Sequence, residues 1–151
     1  LHGATTENTK RYIDFAATHG FKGVLVEGWN IGWDDNWFGN GEVFDFTRPY
    51  PDFDIEEIGR YAQEKGVRLI GHHETGGAAT HYERQMEAAF DLYERVGVRA
   101  VKTGYVADGG GVQRIDDRGV ERFEWHDGQF MANHHLDVVR SAAKRKISIN
   151  P

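Results

Sequence analysis

The sequence predicts an α/β fold, specifically part of a (β/α)8 barrel with parallel strands and intervening helices. Three observations predict it. A helical stretch followed by a short apolar strand occurs four times. The strands are short and continuously apolar, which is typical of strands buried on both faces of a parallel sheet. Polar residues directly follow three of the strands, where barrel enzymes carry their active-site residues.

An open doubly wound sheet is the alternative architecture, since it also places ligands at the C-terminal ends of its strands. Polar groups after three successive strands favour the barrel. A complete barrel needs about 250 residues. The 151 residues therefore predict a piece of a longer protein, about half a barrel.

The elements follow from residue spacing. Each helix presents apolar residues at intervals of three or four, and Gly20, Gly66 and Gly97 stand where the first three helices should end. Asp54 and Thr80, each with a glutamate three residues later, predict N-caps. The predicted strands are 24–26, 67–70, 100–101 and 147–150, and two long loops are expected at about 28–51 and 106–127.

Composition excludes several functions. The net charge of -6 disfavours nucleic acid as a partner. No apolar run approaches the roughly 20 residues of a membrane span. The absence of cysteine excludes disulfides, thiolate metal sites and a cysteine nucleophile.

The most informative motif is His72-His73-Glu74, at the end of the second strand. Alternation along a strand sends His72 and Glu74 to one face and His73 to the other. Glu74 is then a candidate catalytic base, and His72 a candidate hydrogen-bond donor to substrate. The alternative is a hydrogen-bonded polar pair that merely ends a strand.

Three further residues are candidates for substrate binding at neighbouring strand ends. Glu27 and Trp29 would place a carboxylate and an aromatic platform in the barrel mouth. Lys102 would bind a substrate hydroxyl or carboxylate, or form a Schiff base; its simplest alternative role is an ion pair.

These residues lie in segments that resemble glycoside hydrolase family 97, the α-glucosidase and α-galactosidase family of bacterial starch utilisation. The resemblance extends, in order, over nearly the whole chain. The similar segments are YIDFAA (12–17), GVLVEGWN (23–30), VFDF (43–46), PYPDFD (49–54), HHET (72–75), VKTGYV (101–106) and HDGQ (126–129).

The resemblance implies a fragment spanning residues 1–151 of a (β/α)8 catalytic domain, about strands two to five, without the family's flanking β domains. It implies an oligosaccharide substrate, a periplasmic or secreted location, and a calcium ion whose ligands lie outside this chain. Glu74 matches a catalytic carboxylate, and His72 and Lys102 match substrate-contacting positions. The rest of the polypeptide would be needed to close the barrel, so the isolated fragment is expected to be inactive.

The same resemblance predicts the mechanism. Gly104 stands at the position of the nucleophile in retaining members, which implies the inverting branch and an α-glucosidase. Glycine there is expected to leave room for the attacking water of a single displacement. The alternatives are an α-galactosidase of the same family, a Schiff-base lyase using Lys102, and a barrel remnant that binds sugar without cleaving it.

Overall fold

The computed structural model describes residues 3–151 and shows an α/β arrangement built on a four-stranded parallel sheet. The strand order is β1-β2-β3-β6, and a separate two-stranded antiparallel sheet consists of β4 and β5. The elements are α1 (Thr6–His19), β1 (Gly23–Leu25), a 3-10 turn (Gly41–Val43), α2 (Ile55–Glu64), β2 (Arg68–Glu74), α3 (Ala79–Arg95), β3 (Ala100–Gly104), β4 (Val112–Ile115), β5 (Glu121–Glu124), α4 (Gln129–Lys144) and β6 (Ser148–Asn150).

The parallel sheet with its connecting helices confirms the predicted α/β class. Its strands lie side by side in chain order, with a helix in each connection. The described residues form an open sheet and no closed barrel, with β1 and β6 at the two edges. Because all strands run in the same direction, their C-terminal ends meet at one edge of the layer.

Local signals account for most helix ends. Asp54 caps α2 as predicted, its side chain accepting a hydrogen bond from the Glu57 amide. Gly20 ends α1 in the left-handed conformation, with φ 79°. The predicted cap at Thr80 is wrong because α3 already begins at Ala79. The Thr80 hydroxyl instead accepts a hydrogen bond from the backbone of Ile115.

The structure corrects the prediction of a long loop at about 106–127. This segment contains the β4–β5 hairpin, in which Val112 pairs with Glu124 and Ile115 with Glu121. The hairpin was missed because three of the four β5 residues are exposed and the strand has no apolar alternation. The loop at 28–51 contains only the short 3-10 turn.

The core lies between the helices and the parallel sheet. Its largest fully buried side chains include Trp29, Tyr82, Tyr93, Phe44, Phe46, Phe53 and Phe90. Many of the aromatic residues of the chain therefore serve to pack this core. Within residues 3–151, no helix is long and apolar enough to cross a membrane.

Candidate active site

Strand register brings the predicted site residues together. His72 lies opposite Lys102, and Glu74 lies opposite Gly104, in the parallel pairing of β2 with β3. β1 pairs with the beginning of β2, Leu25 opposite Ile70, so Glu27 follows β1 alongside His72. Residues distant in sequence thereby meet at one edge of the sheet.

Glu74 is held in a fixed orientation at this edge. Its side chain is only 6% exposed. Oε1 accepts hydrogen bonds from the backbone amides of Gly76 at 2.8 Å and Val106 at 2.9 Å. Oε2 lies against Gly104, so close that a Cβ at position 104 would be 1.9 Å from it. One carboxylate oxygen is therefore anchored and the other fills the space beside β3.

Glu27 links the two candidate substrate-binding side chains. Its Oε1 accepts a hydrogen bond from Lys102 Nζ at 2.8 Å and lies 3.5 Å from His72 Nε2. The hydrogen bond from Lys102 lowers the pKa of Glu27, and the charge interactions with His72 and Lys102 act in the same direction. Both Glu27 and Lys102 are almost half exposed, which leaves them accessible to a ligand.

The environment of Lys102 bears on its predicted roles. An amine nucleophile is usually activated by an apolar pocket or a neighbouring cation. Lys102 is instead half exposed and bonded to a carboxylate, so the ion-pair and hydroxyl-binding roles fit better than a Schiff base.

His72 is buried beneath this pair. Burial lowers its pKa to about 4, Lys102 acts in the same direction, and Glu27 opposes the shift. The indole of Trp33 stacks on the imidazole, with the ring centroids 5.7 Å apart. A neutral imidazole is thus held beneath Glu27, with Nε2 3.5 Å from the Glu27 carboxylate.

His73 points to the opposite face of β2, as alternation predicted. It stacks on Tyr93 at 4.7 Å, and its Nδ1 lies 3.0 Å from the Tyr82 hydroxyl oxygen. Complete burial lowers its pKa to about 3. This histidine belongs to the core rather than to the site.

The two buried histidines predict acid sensitivity. As pH falls below 6.5, the unfolded chain gains protons at His72 and His73 that the native fold binds only near pH 4 and pH 3. The free energy of unfolding should then fall by up to about 1.4 kcal/mol per pH unit for each histidine. We expect the thermal unfolding midpoint of the enzyme that carries this chain to drop between pH 6.5 and pH 4.5.

A matched pair of variants checks the cause. His72→Asn should flatten this pH dependence, because one of the two titrating groups is lost. His19→Gln, at the exposed end of α1, should leave it unchanged. Equal midpoints for the unmodified enzyme at pH 6.5 and pH 4.5 would contradict the prediction.

Trp29 is not the aromatic platform that the sequence predicted. It is 2% exposed, packs on Phe53 and Tyr93, and donates its indole N–H to the His72 carbonyl oxygen at 3.0 Å. The reason is Gly28, whose φ of 77° breaks the strand alternation and turns the next side chain inwards. Trp29 therefore supports the backbone of His72 from the core.

Sequence reasoning also missed functional groups. The amides of Gly76 and Val106 hold Glu74, and backbone donors carry no residue-type signal. Trp33 lies in the loop at 28–51, and no spacing rule could have placed it over His72 across 39 residues.

A cleft of about 250 Å³ lies between the two long connections, and Glu74 itself is not among the residues that line it. Gly76 and Val106, whose amides bind Glu74, are among the residues that line it. Phe38 and Phe123 also line the cleft and are 71% and 63% exposed. The polar lining residues include Asn40, Asp108, Gln113 and Glu121.

A calcium ion does not fit the side chains described here. Within residues 3–151, no group of three or more His, Asp or Glu side chains is arranged to hold a metal ion.

Comparison with known proteins identifies a matching family profile, a relative by sequence and similar solved structures. The profile of the family Glycoside hydrolase 97 matches residues 1–151. A retaining alpha-galactosidase of Bacteroides thetaiotaomicron is 26% identical over 98% of this chain. A Glycoside Hydrolase Family 97 enzyme from Pseudoalteromonas sp. strain K8, solved in complex with acarbose, is 63% identical over 99% of the chain, with a TM-score of 0.97. Its complex with panose gives the same values. The chain spans 20–22% of the length of these relatives.

The expectation of an inverting mechanism is wrong, because the curated relative is a retaining alpha-galactosidase. The structure also removes the premise on which it rested. Glycine at position 104 was expected to leave room for a water, but the Glu74 carboxylate occupies that space.

Proposed function

Because this chain belongs to glycoside hydrolase family 97, we propose that it forms part of the catalytic domain of an enzyme that hydrolyses α-glycosidic bonds in oligosaccharides, with glucosides as the preferred substrates. The observation that carries the proposal is the convergence of Glu74, His72, Lys102 and Glu27 at the C-terminal edge of the sheet. The acarbose and panose complexes of the 63%-identical enzyme support an oligosaccharide substrate.

The proposed architecture is a (β/α)8 barrel of which residues 1–151 supply about strands two to five. The chain-order arrangement of four parallel strands supports it. The unpaired edges of β1 and β6 fit a sheet that continues on both sides, because a barrel leaves no open edge. Exposed apolar side chains near these edges, including Tyr12, Phe15, Leu25, Leu136 and Val139, fit the same proposal. The remaining polypeptide would close the barrel and supply the flanking β domains.

Glu74 is the proposed catalytic carboxylate. Glycoside hydrolysis passes through an oxocarbenium-like transition state and uses two carboxyl groups. The amides of Gly76 and Val106 fix the Glu74 side chain before substrate arrives, so little reorganisation is needed. We assign Glu74 to this pair of carboxyl groups, and we assign its partner to the polypeptide outside residues 1–151.

Lys102, His72 and Glu27 are the proposed sugar-binding residues. Lys102 carries three N–H donors and spends one on Glu27, so others can bind hydroxyl oxygens. Glu27 accepts from hydroxyl groups, and the neutral His72 imidazole lies beneath Glu27, with Nε2 3.5 Å from its carboxylate. The lining of the 250 Å³ cleft, with its exposed Phe38 and Phe123, supports contact with further sugar units.

Lys102→Ala is expected to lower kcat/KM for an α-glucoside by about 10–100-fold. A hydrogen bond to a charged group contributes about 1.5–3 kcal/mol, and the loss of Lys102 also frees Glu27 from its partner. Steady-state kinetics measure the effect. Lys65→Ala, which breaks the comparable 2.8 Å pair with Asp14 on the helical side, is the matched control and should change kcat/KM less than twofold. Equal effects of the two variants would remove Lys102 from the site.

Calcium and location complete the proposal. The calcium ligands that the family resemblance implies are proposed to lie outside residues 1–151. A periplasmic or secreted location fits an enzyme that meets oligosaccharides outside the cytoplasm.

The test is a comparison of substrates on the purified enzyme that carries this chain. We expect a higher kcat/KM for panose and maltotriose than for α-galactosides of similar length. The second candidate function, an α-galactosidase, is favoured by the Bacteroides thetaiotaomicron relative and would give the opposite preference. Hydrolysis of neither substrate class would overturn the proposal.

A further inference from the structure

We propose that Glu83, His134 and Tyr105 form a chain of hydrogen bonds, centred on the buried His134 side chain, that positions Glu74 through the backbone amide of Val106. This inference rests on the proposed function, because it gives these three residues a role in the same site. All three are positioning residues in this proposal, since none of them is placed in contact with substrate.

The chain is continuous from helix to strand end. The Tyr105 hydroxyl oxygen lies 2.8 Å from His134 Nε2, and His134 Nδ1 lies 2.6 Å from Glu83 Oε1. Glu83 belongs to α3, His134 to α4, and Tyr105 directly follows β3. Three elements are thus joined at one point, and His134, whose side chain is fully buried, stands at the centre.

The direction of the hydrogen bonds follows from the chemistry of the two ends. A carboxylate only accepts hydrogen bonds, so His134 donates its Nδ1–H to Glu83, which leaves Nε2 for the Tyr105 hydroxyl. Burial raises the pKa of Tyr105, and the charges of Glu83 and Glu74 act in the same direction. Tyr105 therefore keeps the proton that it can donate to His134.

The hydrogen-bonded chain of Glu83, His134 and Tyr105 ends beside Glu74. β3 stops at Gly104, so residues 105 and 106 have left the strand ladder that orders the residues before them. Val106 nevertheless donates its amide to Glu74 Oε1 at 2.9 Å. The side chain that can hold this turn is that of Tyr105, which is anchored inwards by His134 and packed edge-on against the His134 and His135 rings.

A second buried tyrosine–histidine pair shows what distinguishes this one. The Tyr82 hydroxyl lies 3.0 Å from His73 Nδ1, and both residues are within the core. The Tyr105 pair differs because it continues to a carboxylate at one end and to the backbone that binds Glu74 at the other. That continuity is what points to positioning rather than to core packing alone.

The test uses Tyr105→Phe and Glu83→Gln in the enzyme that carries this chain, with two independent readouts. The first is amide hydrogen exchange of the segment 105–108, followed by mass spectrometry. Local opening controls such exchange, and we expect it to speed up about tenfold or more. The second is the kinetics of α-glucoside hydrolysis, in which kcat should fall about tenfold while KM changes little.

The double variant and a matched control make the test specific. Tyr105→Phe combined with Glu83→Gln should lower kcat no further than the stronger single change, because both break one chain. Tyr61→Phe, which removes the hydroxyl bound to Asp14 at 2.7 Å on the helical side, should change neither readout.

The outcomes separate this inference from the proposed function. Faster exchange at 105–108 in an enzyme that hydrolyses no glycoside would overturn the proposed function and leave the positioning chain supported. Unchanged exchange at 105–108 together with unchanged kcat in an active enzyme would overturn the proposed positioning role of Glu83, His134 and Tyr105. Additive losses of kcat in the double variant would overturn it as well.

Discussion

Glu74→Gln is expected to lower kcat by about 10²–10⁴-fold, the usual contribution of general acid–base catalysis, with little change in KM. Glutamine keeps the shape and the hydrogen bonds from Gly76 and Val106 to Oε1 but cannot take a proton. Single-turnover and steady-state kinetics on an α-glucoside measure the loss. Glu56→Gln, which alters an exposed carboxylate paired with Arg95, is the control and should leave kcat unchanged. A loss below tenfold for Glu74→Gln would assign Glu74 a structural role.

Gly104→Ala is expected to reduce kcat by a similar factor, although the substitution removes no polar group. An added Cβ would lie 1.9 Å from Glu74 Oε2 and 2.8 Å from its carboxyl carbon, so the carboxylate must move. Displacement of a catalytic group by about 1 Å can cost about 10²-fold in rate. Gly109→Ala is the matched control, because the nearest atom to its Cβ would be 3.5 Å away, an ordinary contact. A Gly104→Ala enzyme with normal kcat would show that the placement of Glu74 beside β3 does not matter.

The two changes should not add. Gly104→Ala acts only by moving the side chain at position 74, so it should do little further harm once Glu74→Gln has removed the carboxylate. Multiplied losses would mean that the alanine disturbs another part of the site.

Much of the fold followed from periodicity and punctuation. Apolar spacing, the cap at Asp54 and glycines such as Gly20 mark local preferences that the structure keeps. The parallel sheet followed from helices alternating with short apolar strands. The site followed in part for the same reason, because polar residues after adjacent parallel strands meet. The pairing of His72 with Lys102 across β2 and β3 is the clearest example.

The remainder depended on tertiary contacts that no local pattern records. Gly28 reverses the expected direction of Trp29, and only its backbone dihedral reveals this. The β4–β5 hairpin is exposed and lacks alternation. His134 lies within α4, and only the structure shows that Glu83 and Tyr105, 51 and 29 residues away, give it a place in a hydrogen-bonded chain.

The interpretation of Gly104 shows how a single residue can mislead. From the sequence, a missing side chain predicted an empty space and hence room for water. In the structure, the neighbouring strand delivers the Glu74 carboxylate into that space through the pairing of Glu74 with Gly104. Gly104 is thus explained by the close approach of the Glu74 side chain. The inverting mechanism that was predicted from this glycine is contradicted by the retaining alpha-galactosidase relative.

The central claim is that the sheet edge formed by β1, β2 and β3 binds the sugar unit that reacts, with Glu74 at the reacting centre. A crystal structure of the Glu74→Gln enzyme soaked with panose tests it most directly. We predict that the side chain at position 74 lies within hydrogen-bond reach, about 2.6–3.2 Å, of the sugar or of a water that contacts its anomeric carbon. We also predict that Lys102 and Glu27 bind hydroxyl groups of that sugar. Panose bound elsewhere, with these three residues free of contact, would contradict the claim.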